Sequence, residues 1–207
     1  MFLFLIMNIS VCRPRGGDFL YTDNEFGIMM NDIEIFCKLG VKGIVVGVLT
    51  REGYIDIPRM QVIVSKCGGL MNITFHRAFD VVVDPFLSLQ QLIEMKGVNR
   101  ILTSGQSQSA ILGKAVIKEL VDKAKGKIII MPGGGIDETN VKELVTYTSV
   151  KEVHCSGRYT IQSDMVYRPS TPIYMGGEKI NNIESEFTLK VTSSERIRII
   201  LQIVKEI

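Results

Sequence analysis

The chain reads as an α/β protein of the TIM-type (β/α)₈ barrel class, and three observations carry that expectation. Short apolar, β-branched runs alternate with amphipathic helical patterns, which predicts parallel strands with helices packed outside them. The runs centre near Cys12, Val46, Thr74, Ile101, Ile129 and Val153, a spacing of roughly 30 residues that leaves room for one helix and little else. Polar residues stand at the end of every run and no early G-x-G-x-x-G is present. A barrel with one shared rim is therefore favoured over an open doubly wound sheet. Six of a barrel's eight strands are expected, with a C-terminal helix, in a single domain spanning residues 1–207.

Each element has its own signal. The opening run Met1–Met7 is apolar but lacks a basic flank and a small-residue cleavage site, so it reads as strand. Ile9–Arg13 closes that strand. Thr22 and Glu25 have the capping-box spacing, Phe26, Met30, Ile33 and Cys37 recur at helical period, and Gly40 ends the helix. Gly43–Leu49 is the second strand, and Asp56 with Pro58 opens a helix through Ile63 and Cys67. Met71–Arg77 is the third strand. Asp84 and Pro85 then form an N-cap and first turn, with Phe86, Leu89 and Ile93 on the buried side.

Arg100–Thr103 is the fourth strand, and Ala110, Ile117, Leu120 and Ala124 mark the helix after it. The run Ile128–Met131 reads as a fifth strand buried on both faces. Its helix is predicted to begin near Asp137 and to carry Val141, Leu144 and Val145. Lys151–Ser156 is the sixth strand. Gly157–Glu186 runs polar and irregular, too long for an ordinary connection. Thr192-Ser193-Ser194-Glu195 caps a last helix through Ile197, Ile200, Val204 and Ile207.

Composition narrows the function classes. A hydrophobic content of 46% and a mean hydropathy of +0.22 over 207 residues allow a sizeable core. A net charge of +2, with no basic run interleaved with aromatics, argues against a nucleic-acid partner. No run approaches the roughly 18 apolar residues that a spanning helix needs, so no membrane partner is expected. Cys12, Cys37, Cys67 and Cys155 are scattered without a C-x-x-C, the usage of reduced thiols in a cytosolic protein.

In a barrel the loops after the strands share one rim, where chemistry collects. The candidates there are Arg13, Arg15 and Asp18, then His76, Arg77 and Asp80, then Ser104, then Gly133, Gly134 and Gly135, then His154 and Ser156. Both histidines of the chain stand on this rim. His76 is a candidate acid or base near neutral pH with Asp80 orienting it, and His154 is a second candidate. Arg13 and Arg15 offer rigid donors to a carboxylate or phosphate, the alternative being a salt bridge to Asp18 that only orders the loop. The triple glycine before a helix start suits a phosphate, or is a tight turn needing positive φ. Alternation puts Thr74 and His76 on one face, and His154 and Ser156 on one face, with Cys155 turned to the helix layer. Cys155 then reads as a small core residue more readily than as a metal ligand.

Five motifs in order resemble the CutC copper homeostasis family: Arg13-Pro14-Arg15-Gly16-Gly17-Asp18-Phe19, Thr74-Phe75-His76-Arg77-Ala78-Phe79-Asp80, Arg100-Ile101-Leu102-Thr103-Ser104-Gly105, Pro132-Gly133-Gly134-Gly135-Ile136 and His154-Cys155-Ser156. Similarity extends to Lys190-Val191-Thr192, nearly the whole chain. The resemblance implies a (β/α)₈ barrel, a homo-oligomer, a location in the cytoplasm (with the nucleus as the alternative) and Cu(I) as the bound ion. Family members begin with two further βα units, each with a cysteine in its strand. By that alignment the strands here are the third to the eighth, and Cys12 stands where the family has an aliphatic residue. The metal ligands are thus unassigned. Cys12, Cys155 and the ten methionines are the soft atoms left to consider, with no pair at a metal-site spacing. A barrel lacking two units leaves sheet edges unpaired, so self-association or poor solubility is expected.

Copper homeostasis is therefore the first functional expectation, with a copper ion as partner. An enzyme acting on a small phosphorylated or carboxylated metabolite is the alternative, resting on the basic rim. A scaffold that uses residues 157–186 as a contact is the third.

Overall fold

The structure, a computed structural model, describes residues 9–171 and 187–207. The strand expected at Met1–Met7 and the stretch 172–186 of the polar segment lie outside the described residues. Five strands form one parallel sheet in chain order: β1 (Ile9–Val11), β2 (Gly43–Val46), β3 (Asn72–Phe75), β4 (Val98–Thr103) and β5 (Ile129–Pro132). Helices α1 (Asp23–Lys38), α2 (Ile57–Cys67), α3 (Pro85–Glu94) and α4 (Lys114–Ala124) fill the crossovers, and α5 (Val141–Thr148) follows β5. Each strand lies beside its predecessor, and right-handed crossovers then place every helix on the same side. A doubly wound sheet would reverse its order. The winding is consistent with a TIM-type barrel, though among the described residues the sheet does not close.

Helix ends follow the local chemistry. The Thr22 side-chain oxygen accepts from the Glu25 N–H at 3.3 Å while Glu25 Oε2 accepts from the Thr22 N–H at 2.7 Å, a reciprocal capping box. Asp56 and Asp84 cap α2 and α3 ahead of Pro58 and Pro85. α5 starts at Val141 rather than near Asp137, because residues 137–140 form a turn in which Asn140 Oδ1 accepts from the Asp137 N–H.

Alternation along the strands separates two faces. Ile44, Val46, Ile73, Phe75, Ile101 and Ile130 belong to one core with Met29, Ile33, Met60, Ile63, Leu89, Leu92, Ile117 and Leu120 of the helices. Each such side chain contributes about 1.5–3 kcal/mol on burial. Val11, Val45, Thr74, Arg100, Leu102 and Met131 take the opposite register and line a cavity.

After β5 the expected sixth strand shrinks to one parallel bridge, Gly133 to His154, with the His154 N–H donating to the Pro132 carbonyl at 2.8 Å. At Gly157, which sits at φ +57 where a β-carbon would overlap the Ile197 side chain, the chain turns away from the sheet. It then forms an antiparallel pair of β6 (Arg158–Gln162), inside the segment expected to be irregular, and β7 (Thr188–Thr192), just beyond it. α6 (Ser194–Lys205) follows, with Ser193 as its cap. Arg196 on α6 holds Glu138 with its Nε at 2.9 Å, tying this unit to the loop before α5.

Candidate functional site

The bare face of the sheet forms the floor of a cavity of about 600 Å³, with Ile200 and Val204 of α6 as one wall. Its floor is apolar through Val11, Val45, Leu102 and Met131, and its charged groups are Arg13, Arg77, Arg100, Lys151 and Glu152. Thr74, His76, His154 and Cys155 complete the polar lining.

His76 directly follows β3 and is 7% exposed. Its Nδ1 accepts from the Ala78 N–H at 3.2 Å, so the neutral ring carries its proton on Nε2. Nε2 is buried and meets no partner among the described residues. Burial first, and then the Arg13 guanidinium, push the imidazole pKa down to about 4. His76 is therefore a neutral hydrogen-bond donor at pH 7, where the sequence suggested an acid or base titrating nearby. The ring can sit there because residue 47 is glycine: a β-carbon would lie 2.6 Å from His76 Nδ1. Phe19 packs on the imidazole at 4.9 Å between centroids, and the Arg13 guanidinium lies 4.6 Å over the same phenyl ring.

Asp80 does not orient His76. The 3₁₀ turn Arg77–Val81 carries it to the β4–α4 loop, where its carboxylate is 8% exposed and surrounded by donors. Thr103 Oγ1 donates to Asp80 Oδ1 at 2.5 Å, the Ser104 N–H at 2.9 Å, and Arg77 Nε to Oδ2 at 2.7 Å. Ser104 Oγ accepts from Arg77 NH2 at 2.8 Å, leaving its single hydrogen for Asp80 or the Ser107 carbonyl. Gly134, at φ +107, comes so close that a β-carbon would lie 3.4 Å from Arg77 NH1. The triple-glycine loop thus packs on the Arg77–Asp80–Ser104 cluster. Its Gly134 carbonyl accepts from the Ala110 N–H and its Gly135 carbonyl from Asn140 Nδ2.

Arg15 and Asp18 stand apart from the cavity. Arg15 gives Nε to Glu25 at 2.6 Å and NH2 to the Leu20 carbonyl at 2.8 Å, and pairs with Asp18 at 2.9 Å. These bonds order their own loop. Ser156 also lies outside the lining, its carbonyl accepting from Thr192 Oγ1 at 3.4 Å. His154 opens onto the cavity, and the protein packed about its ring lowers its pKa.

The thiols divide between the two sides. Cys12 is buried in the helix layer, its Sγ donating to the Met29 carbonyl at 3.5 Å. Burial, with Asp32 and Cys67 adding to it, pushes its pKa up to about 12. Cys155, expected to pack with the helix layer, is half-buried and does both: it packs against the core and also borders the cavity, because residues 151–156 are not a regular strand and do not alternate. Burial raises its pKa as well, against a smaller opposing effect of the Gly157 N–H and Arg196. No group of three His, Cys, Asp or Glu side chains suited to a metal occurs among the described residues.

Sequence reasoning missed the ion pair formed between two residues of the cavity lining. Arg100 grips Glu152 with Nε to Oε2 at 2.5 Å and NH2 to Oε1 at 3.0 Å, while its buried NH1 has no partner among the described residues. The two residues lie 52 positions apart, and only the winding of the sheet joins them. The charge of Arg100 at an inward position of a strand was the one available signal.

Comparisons with known proteins bear on the family and the fold. The family model described as "CutC family" matches residues 5–159. A Mus musculus protein named copper homeostasis protein cutC homolog is 42% identical over 94% of this chain and 70% of its own length. A CutC family protein of Parabacteroides distasonis is 45% identical over 91% of this chain and 75% of its own. The crystal structure of CutC from Streptococcus agalactiae superposes with a TM-score of 0.66 at 36% identity, covering 70% of each chain.

Proposed function

This chain belongs to the CutC family, and we propose that it serves copper homeostasis as a cytoplasmic protein that handles Cu(I). Kinship over nearly the whole chain with proteins named for copper homeostasis carries the reading. The cytoplasmic part rests on four free cysteines, which suit a reducing compartment. Copper is here the cargo. Cu(I) prefers thiolate and thioether sulfur, and the cavity lining offers Cys155 and Met131 with the imidazoles of His76 and His154 beside them. Cys12 and Cys67 are buried on the other face and half-buried Cys37 lies on α1 outside the cavity lining, so within the cavity capture would start from Cys155. Titration of the reduced protein with Cu(I) against a competing chelator tests this. Cys155→Ala should weaken binding, and wild-type binding no tighter than that of a cysteine-free variant overturns it. Self-association belongs to the same proposal, since Ile9 and Val11 at the β1 edge are 39% and 64% exposed.

A second reading, an enzyme acting on a small phosphorylated or carboxylated metabolite, is favoured by one observation. Arg13, Arg77, Arg100 and Lys151 face the cavity against the single carboxylate of Glu152. A soft cation gains nothing from such a wall, whereas an anion does.

A further inference from the structure

We propose that the cavity is a binding site for an organic acid with an apolar body, its anionic head held between the His76 Nε2–H and the Arg13 guanidinium. The inference deepens the second reading by naming the ligand class, and it is independent of copper.

Three observations converge on the head. His76 Nε2 is a donor buried without a partner among the described residues, a costly state that an acceptor from outside would relieve. Arg13 stands over the Phe19 ring that also carries His76, and neither Arg13 nor Lys151 forms an ion pair among the described residues. Arg100, also in the lining, adds a second buried donor, NH1, its charge already offset by Glu152. Donors thus outnumber acceptors around the space, and the uncompensated charge is positive. Being neutral, His76 adds a hydrogen bond and no charge, so the charge that selects an anion at the head is that of Arg13. A carboxylate and a phosphate monoester share the acceptor chemistry this requires.

The rest of the lining describes the body. Val45, Leu102, Met131 and Val204 give the ligand an apolar seat. At about 600 Å³ the space suits a small metabolite rather than a bare ion.

The test uses the full chain labelled at histidine with ¹⁵N, titrated separately with benzoate, phenyl phosphate and inorganic phosphate. Benzoate or phenyl phosphate, whichever matches the head, should displace the His76 Nε2–H resonance, and inorganic phosphate should bind more weakly. Arg13→Met and His76→Phe should each weaken the preferred probe by about tenfold or more. Should His76→Phe fail to fold, Arg13→Met decides alone, because its side chain lies outside the helix-packed core. An unmoved His76 resonance with both organic probes, or unchanged affinity in Arg13→Met, overturns the site. Inorganic phosphate binding as tightly as phenyl phosphate overturns the apolar seat. Binding of a probe supports the site whether or not the protein is an enzyme, so failure of the enzyme reading would leave the site standing.

Discussion

The two faces of the five-stranded sheet are built from alternate residues of the same strands, yet they are chemically opposed. Toward the helices point Cys12, Ile44, Phe75 and Ile101, all sealed in the core. Toward the cavity point Val11, Arg13, His76 and Arg100, together with donors that meet no acceptor among the described residues. The helix face is packed with apolar side chains, whereas the cavity face carries His76 Nε2 and Arg100 NH1 without partners among the described residues; Tyr21 Oη in the core and Gln91 Oε1 on α3 also lack one. Stability should therefore reside in the first and ligand binding in the second.

Truncation gives the largest expected effect. Phe75→Ala on the helix face should cost about 3–5 kcal/mol in urea unfolding, while Val11→Thr on the cavity face should change stability by less than about 0.5 kcal/mol. Similar costs at both positions would erase the contrast.

Acid comes next. The folded pKa of His76 is about 4 against an ordinary 6.5, so the unfolded chain takes up the proton first as pH falls. Stability from this group is complete above pH 6.5 and is lost toward pH 4, by roughly 3 kcal/mol in all. Cys12, raised to about 12 from 9.0, has the opposite sign: its contribution holds below pH 9.0 and is lost as pH rises. Urea midpoints across pH, repeated for His76→Gln and Cys12→Ala, separate the two.

At the rim, Asp80→Ala should cost about 2 kcal/mol by stranding the Thr103, Ser104 and Arg77 donors, with Asp80→Asn milder. Gly134→Ala should cost about 1–2 kcal/mol, since it forces a side chain to φ +107 against Arg77. Thermal unfolding reads both.

What the sequence disclosed followed the range of each cause. Short-range causes were legible: Thr22 with Glu25, Asp56 and Asp84 before their prolines, and the β-branched runs placed the helices and the five strands. The β6–β7 pair was missed because a polar, glycine-flanked stretch hid it, although Tyr159-Thr160-Ile161 and Leu189-Lys190-Val191 have strand-forming composition. Spacing misled at Asp80. Four residues from His76 suggested a pair, but the intervening 3₁₀ turn carries the carboxylate to β4. Arg100 with Glu152 was beyond reach, because nothing local couples positions joined only by the winding of the sheet.

The protonation state of His76 is the property on which the donor-lined cavity depends, and ¹⁵N spectra of the histidine side chains between pH 4 and 8 read it without any ligand. The expected result is a neutral ring, proton on Nε2 and Nδ1 acting as acceptor, that persists until the pH approaches 4. A His76 that titrates near 6.5, or carries its proton on Nδ1, would contradict the cavity as described.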